Sequence, residues 1–374
     1  MLTRPMVRVA VIAVLGGAAL GAGQDRGQTA ETQERCCKLE AIDVFGSRKV
    51  SDEEVLKIVS LPKDETVRPG GREFMEAVAQ AEERLRDTKL FAWAKISPIS
   101  FYAGPYVNKV YLTVDLLDKG DEKRLQFSPK PTTTVSNPEG LVAAWIDCQD
   151  KLQNLMNQGK MDLSKPPRCR AVHCGFGFGH PELEGLEERF VLGVPKHFKA
   201  VVKVLQQDRD DRRRAAAAYV LAYGTSQKAI VRALIPAIKD SNSVVRNNAM
   251  RVLVDIQRAS DKVIVPAQPL IEALHFPEVT DRNKAVYALA EIVKKNTSTY
   301  RTQILRGAGA VLLAMVSMKQ PINRDGALLQ LLTGLSGSDY GQDVAAWKHW
   351  MDGVLSGAKG GPRREVGSSG LQPR

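Results

Sequence analysis

SNSVVRNNAMRVL, residues 241–253, is the stretch on which the fold turns. Arg246 is followed three residues later by Ala249 and four further on by Leu253, which places all three along a helix at the spacing of one face. The same triad recurs as Arg214/Ala217/Leu221 in RAAAAYVL, Arg282/Ala285/Leu289 in RNKAVYAL and Arg324/Ala327/Leu331 in RDGALLQL. The offsets, about 32, 36 and 42 residues, are those of stacked helical pairs. Each triad is preceded by a turn and a further apolar-faced helix: FKAVVKVLQQ, IVRALIPAI, PAQPLIEAL and GAVLLAMVSM. The small alanine lets paired helices approach and the leucine fills the shared core, so each pair is stable only when stacked on its neighbours.

The VR-x-x-A-x-x-x-L arrangement resembles the signature of HEAT repeats. That resemblance implies an all-α superhelical solenoid over residues 195–353, with about four repeats from Pro195 to roughly Gly337. Trp347 and Trp350, three residues apart in DYGQDVAAWKHWM, are expected to cap its last repeat. The composition of 354–374 predicts a disordered tail.

The N-terminal half reads differently. KLEAIDVFG alternates apolar and polar residues and ends in Gly46, predicting a strand and turn. SDEEVLKIVSL predicts a helix with Ser51 as N-cap and Val55, Ile58 and Val59 at helical spacing. A second helix follows from about Arg72 to Lys89, carrying Phe74, Val78, Ala81 and Leu85 on one face. FAWAKISPISFY and YVNKVYLTVDLL then form a hairpin around Ala103-Gly104-Pro105. The order strand, helix, helix, strand, strand gives an α+β domain over 38–118, with both helices on one face of a three-stranded sheet. This order, with VFGSRKVSDEEVLKIVSL, AEERLRDTKLFAWAKI and VYLTVDLLD, resembles the POTRA domain of outer-membrane assembly and secretion proteins, except that Lys89 stands where that family has a glycine. The resemblance implies a binding module that works by strand addition at a sheet edge.

Arg4 and Arg8 before the apolar run Val9–Leu20 and the small residues Gly21-Ala22-Gly23 predict a secretory signal peptide over 1–23. An uncleaved anchor is the alternative, although the run is shorter than the ~20 residues that span a bilayer. Residues 24–37 read as a linker, and 119–139, charged and then rich in Pro, Thr and Ser, as a hinge. No later run is long enough to cross a membrane, so the expected protein is exported, periplasmic or secreted.

The formal charge of +11 is unevenly placed. Residues 38–124 hold 15 Lys and Arg against 16 Asp and Glu, whereas residues 196–319 hold 21 against 10. The solenoid is therefore the basic part. Arg212, Arg213, Arg251, Arg258, Lys294 and Lys295 are the candidates for a surface facing an anionic partner: an acidic protein, anionic envelope polymer or lipid headgroups. Charged solenoid exteriors also arise without such a role, and Arg246 and Arg282 are expected to bond turn carboxylates within their own repeats. Export and the lack of any recognition motif argue against nucleic acid.

CRAVHCGFGFGH, residues 169–180, lies in the joint between the halves, 140–194, which is expected to cap the solenoid's N-terminal end. Of the five cysteines, Cys148, Cys169 and Cys174 are candidates for a disulfide in an exported chain. Cys36 and Cys37 are adjacent, and one of them could tie to the remaining joint cysteine. A zinc site from Cys148, Cys169, Cys174 and His173 or His180 is the rival, weakened by irregular spacing. The glycines of GFGFGH predict tight turns, with Phe176 and Phe178 packing into the joint, and His180-Pro181-Glu182 is expected to open a helix. The C-x4-C-x-F-G-x-x-HPEL arrangement also resembles one in exported bacterial HEAT-repeat proteins, where it precedes the first repeat. No Gly-x-Ser-x-Gly, His-Glu-x-x-His or Walker loop is present, and Cys174 with His173 is the one nucleophile pair the sequence offers. The resulting expectation is a non-enzymatic interaction scaffold without cofactor whose partner is another protein, envelope-associated by analogy with POTRA domains. Its rivals are a thiol- or zinc-dependent protein and a binder of anionic polymer.

Overall fold

A computed structural model of the chain describes residues 11–13, 36–101, 105–161, 168–324 and 326–357. Most of the segments read as leader and linker, the turn at Ala103-Gly104 and the tail beyond 357 lie outside the described residues.

Five strands form one mixed sheet in the order β1-β4-β5-β2-β3: β1 (Val11–Ala13), β2 (Cys37–Phe45), β3 (Thr66–Val67), β4 (Phe91–Phe101) and β5 (Lys109–Asp118). The two short strands at the edges were not expected. β3 pairs with Cys37 and Lys38, the first residues of β2, of which Cys37 falls in the stretch read as linker, and β1, inside the stretch read as leader, lies antiparallel along Ile99–Phe101 of β4. Between the long strands, β2 runs parallel to β5 and β4 antiparallel to it.

α1 (Asp52–Val59) begins at Ser51, whose hydroxyl accepts the Glu54 amide while the Glu54 carboxylate accepts the Ser51 amide at 3.0 Å. This capping box satisfies two amides that a helix start leaves open. α2 (Arg72–Asp87) turns Phe74, Val78, Ala81 and Leu85 inward onto Leu39, Val110, Leu112, Val114 and Leu116. Gly46 ends β2 at φ 101°, where a Cβ would stand 2.2 Å from the Leu116 carbonyl oxygen, so the turn requires glycine.

A bulge between Leu39 and Ala41 shifts the alternation of β2. Leu39, Ile42 and Val44 face the helices, whereas Ala41 joins Ile99, Phe101 and Tyr111 on the other face. That second face is covered too, by Val279 and Ile322 of the solenoid.

The helical part comprises α3 (Leu141–Asn157), α4 (Leu186–Gln207), α5 (Asp211–Val220), α6 (Gln227–Leu234), α7 (Ser243–Ala259), α8 (Ala267–Ala273), α9 (Val279–Lys295), α10 (Thr297–Ser317), α11 (Pro321–Arg324), α12 (Ala327–Ser336) and α13 (Val344–Leu355). α3, α5, α7, α9 and α12 pack in succession as one layer, each inner helix backed by its partner α4, α6, α8 or α10. Ala217, Ala249 and Ala285 and Leu221, Leu253 and Leu289 are all fully buried at these contacts. The helix expected to open at Pro181 starts at Leu186, because residues 181–185 form turns that end at Gly185 in the left-handed conformation. α4 then continues across Pro195, with a break in helical geometry at His197.

Arg214, Arg246 and Arg282 are wholly buried, and each does two things. Nη1 donates to the carbonyl six residues earlier, on Asp208, Asp240 and Phe276 respectively, at 2.8–3.0 Å. The rest of the guanidinium meets a carboxylate in the next layer: Arg214 grips Asp240 with two bonds of 2.8 Å, and Arg246 donates to Asp281 at 2.9 Å. These carboxylates come from the following repeat rather than from the arginine's own. For Arg282 the carboxylate comes from the sheet, as Asp115 of β5 at 2.6 Å. Asp43 of β2 accepts the Lys319 and Gln320 amides at the next turn, at 2.9 and 2.7 Å.

The segment read as a hinge is bonded along the same turns. Arg124 donates to the His275 carbonyl, Phe127 lies 4.0 Å from the Arg246 guanidinium, the Ser128 amide reaches Lys239, and the Val135 amide reaches the buried Asp208 carboxylate. It thus crosses the repeats in reverse order and delivers α3 to the open side of α4 and α5.

Candidate functional site: a cationic groove and the disulfide loop at its end

The N-terminal halves of α5, α7 and α9, with the end of α5 and with α3 alongside, line an open cavity of about 340 Å³. Trp145, Phe176 and Tyr219 stand towards α3, and Asn247, Arg251 and Lys284 stand on α7 and α9. Arg251 Nε donates to Asn247 Oδ1 at 2.7 Å, an i,i+4 contact on α7. Lys284 Nζ donates to Asn283 Oδ1 at 2.8 Å and lies 5.2 Å from the centre of the Tyr287 ring. Burial, and then the charge of Arg251, push the Lys284 ammonium well below the ordinary lysine range, with Asp255 pulling weakly the other way. Burial likewise raises the Tyr219 phenol.

Cys169 and Cys174 form a disulfide, and the loop they close delivers His173 to this layer of helices. His173 Nδ1 is 2.6 Å from Asp255 Oδ2 on α7, and its ring stacks on Tyr219 with centroids 5.1 Å apart. Its Nε2 is buried without a hydrogen bond among the described residues. Asp255 also accepts Arg258. Beyond the loop, Phe178 packs edge-on to Trp145 at 6.2 Å, which anchors the joint to α3.

The remaining cysteines are not brought to that bond. Cys37 lies in the core of the sheet domain and Cys148 in the core of the solenoid, so no bridge ties the halves, and Cys36 is exposed. Burial lifts the Cys148 thiol to about 11, away from the thiolate that metal binding or nucleophilic attack needs. With the sulfurs of Cys169 and Cys174 bonded to each other and His173 held by Asp255, the zinc set and the Cys174/His173 pair are not assembled. Among the described residues no group of three or more His, Cys, Asp and Glu could hold a metal ion. His180 accepts the Glu182 amide at 3.2 Å and belongs to the turn before α4.

Most of the basic candidates meet carboxylates. Arg212 pairs with Asp150, Arg213 with Asp208, Arg258 with Asp255 and Glu291, and Lys294 with Glu291. Lys295 is exposed, and Arg251 points its guanidinium into the groove. Trp347 is fully buried, with Nε1 donating to the Gly341 carbonyl at 2.9 Å and Tyr340 edge-on at 4.8 Å, while Trp350 is half-buried against it.

Lys284, Asn247 and Tyr219 escaped the reading of the sequence. A signal for them exists in the repeat itself. Counted from each buried arginine, the next residue is Ala215, Asn247 or Asn283, the one after it Ala216, Asn248 or Lys284, and the fifth Tyr219, Arg251 or Tyr287. All but Tyr287 line the groove.

A family model for HEAT repeats matches residues 198–290, from within α4 to within α9. No curated protein and no solved structure matches the chain. HEAT repeats are in general scaffolds for protein interactions, and no helix of the described residues is long and apolar enough to cross a membrane.

Proposed function

We propose that the protein is an exported, non-enzymatic scaffold whose HEAT-like solenoid holds a partner protein in the groove of α5, α7 and α9, beside a POTRA-like domain built into the same body. The observation that carries this reading is the division of the solenoid's surface. Its turns are occupied by the chain's own sheet and by segment 119–139, while the groove, with aromatic, amide and cationic side chains, stays open. Such a concave, mixed lining suits a partner segment.

The Cys169–Cys174 bond is compatible with an oxidising compartment and supports export. The edge of β4 that β1 pairs with supports strand addition as a second mode of binding. An envelope-assembly role rests on the POTRA resemblance alone and is an analogy. Attraction of anionic polymer is the weaker reading, because Arg212, Arg213, Arg258 and Lys294 are already neutralised by carboxylates.

The test is site-specific photo-crosslinking in the exported full-length chain, with the probe at Asn247 in the groove or at the exposed Lys348 on α13. A discrete protein adduct from position 247 and none from 348 is the expected result. The same adducts from both positions, or none from 247, would overturn the reading.

A further inference from the structure

We propose that the groove reads a carboxylate: its occupant is an extended partner segment with an aspartate or glutamate side chain seated between Arg251 and Lys284. This rests on the groove being the partner surface and adds which chemistry it selects.

The argument starts from an uncompensated charge. An ammonium partly withdrawn from water, as that of the half-buried Lys284 is, gains from an opposite charge close by. Lys284 has an amide oxygen and a ring face, and no carboxylate bonds it or Arg251 among the described residues. The carboxylates nearby are committed elsewhere: Asp255 to His173 and Arg258, Glu291 to Arg258 and Lys294, Asp150 to Arg212. The charged groups that face Lys284 from the neighbouring helix α7 are thus Arg251 and Asp255, and on its own helix it meets the Tyr287 ring. A ligand carboxylate would supply what the fold withholds.

The positive charge on offer is that of the side chains themselves: Arg251 stands nine residues into α7 and Lys284 six residues into α9, beyond the first turns where helix dipoles act. One carboxylate fits two cations; a polyanion would need a longer row of unpaired charge than the groove has.

The uncharged lining favours a peptide as the carrier of that carboxylate. Asn247 holds Arg251 through its oxygen and keeps its amide protons, and Asn248 donates to the Ala215 carbonyl at 3.0 Å and keeps its oxygen. Side-chain amides with spare donor and acceptor match an extended main chain. Phe176 and Tyr219 at the α3 end, backed by the buried Trp145, offer an apolar seat for a neighbouring side chain.

The test uses the full chain and the blocked peptide acetyl-GFDGFDG-amide, its counterpart with both aspartates replaced by asparagine, and inorganic phosphate. The chain is reductively methylated with a carbon-13 label, and the Lys284 signal is identified by its loss in Lys284→Met. In the free protein that signal is expected to titrate below the ordinary lysine range. The aspartate peptide is expected to move its midpoint up and to bind about tenfold or more tightly than the asparagine peptide, as a charge-assisted bond in place of a neutral one would give. Lys284→Met and Arg251→Gln should each remove that preference. Equal binding of the two peptides to the unmutated protein would overturn the proposal, whatever the variants do. So would an equal shift by phosphate, which would make this a free-anion site. If crosslinking at Asn247 captures a partner while the peptides show no preference, the partner surface stands and the carboxylate rule falls.

Discussion

The guanidinium of Arg282, in α9 of the solenoid, donates to the carboxylate of Asp115, on β5 of the sheet, at 2.6 Å, and both side chains are fully buried. The Phe45 ring covers the same guanidinium at 3.6 Å, and the other carboxylate oxygen accepts the Val279 amide at 3.1 Å. The sheet domain therefore supplies to the third repeat the carboxylate that the following repeats supply to Arg214 and Arg246. The two halves share this pair, and neither can bury it alone.

Removing one partner from a buried pair leaves an unpaired charge in an apolar surround, at about 3–5 kcal/mol. Asp115→Ala is expected to lose stability on that scale in urea denaturation of the full chain. Asp115→Leu combined with Arg282→Met, which removes both charges, should recover most of it. If the single variant lost less than ~0.5 kcal/mol, the pair would not be what joins the halves.

Burial raises the carboxyls of Asp115 and Asp281 to about 6, against the attraction of Arg282 and Arg246. Their folded values lie above the ordinary 3.8, so the native state binds these protons more tightly than the unfolded chain between those values. The contribution of each group to stability is thus greatest below pH ~4 and falls as pH rises through about 6. In Asp115→Asn the share of Asp115 vanishes. The stability of the unmutated protein relative to this variant is expected to grow as pH is lowered from 7 to 4, by at most about 3 kcal/mol. Denaturation at four pH values measures it, and a difference that shrinks over that range would reverse the assignment.

Lys89 follows α2 with φ 59°, the left-handed region that disfavours residues with a Cβ. It stands where the POTRA resemblance has glycine, and nothing in its environment explains the lysine. Among the described residues its ammonium makes one ion-pair contact, at 3.9 Å with the exposed Asp87. Lys89→Gly should therefore stabilise the sheet domain by about 0.5–1 kcal/mol. A lower melting temperature for the variant would show that this turn gains more from side-chain contact than it loses in backbone strain.

The periodicity of Arg, Ala and Leu made the solenoid legible, because the physics of stacked helices repeats where the sequence does. The docking of the sheet was hidden for two reasons. The bulge after Leu39 flips Ala41, Asp43 and Phe45 to a face that unbroken alternation assigns to the helices. The second reason lies in the repeats. Their turns carry Asp208 and Asp240 six residues before Arg214 and Arg246, but Phe276 and Met318 at the same place before Arg282 and Arg324. Those two missing carboxylates were the visible sign that another segment, through Asp115 and Asp43, completes the turns. Segment 119–139 reads as a hinge because Pro, Thr and Ser mark it as irregular, and irregular backbone can equally be bonded to a neighbour, as Val135 is to Asp208. The groove was missed because its lysine, asparagines and tyrosine each look ordinary until the repeats are laid in register.

The Cys169–Cys174 bond closes a loop of only a few residues, so its direct entropic contribution is small for a disulfide, about 2 kcal/mol. Its larger consequence lies in what the loop carries. His173 stays against Asp255 and Tyr219 with a buried, unbonded Nε2, a position that a freely moving loop would leave in favour of water. Cys169→Ser with Cys174→Ser is therefore expected to expose His173 while α5, α7 and α9 stay folded. Hydrogen exchange should then rise across residues 169–178 and remain unchanged in α9. Uniform acceleration through the helices would mean instead that the bond supports the whole N-terminal end of the solenoid, and that the loop is part of its cap rather than an arm laid along the groove.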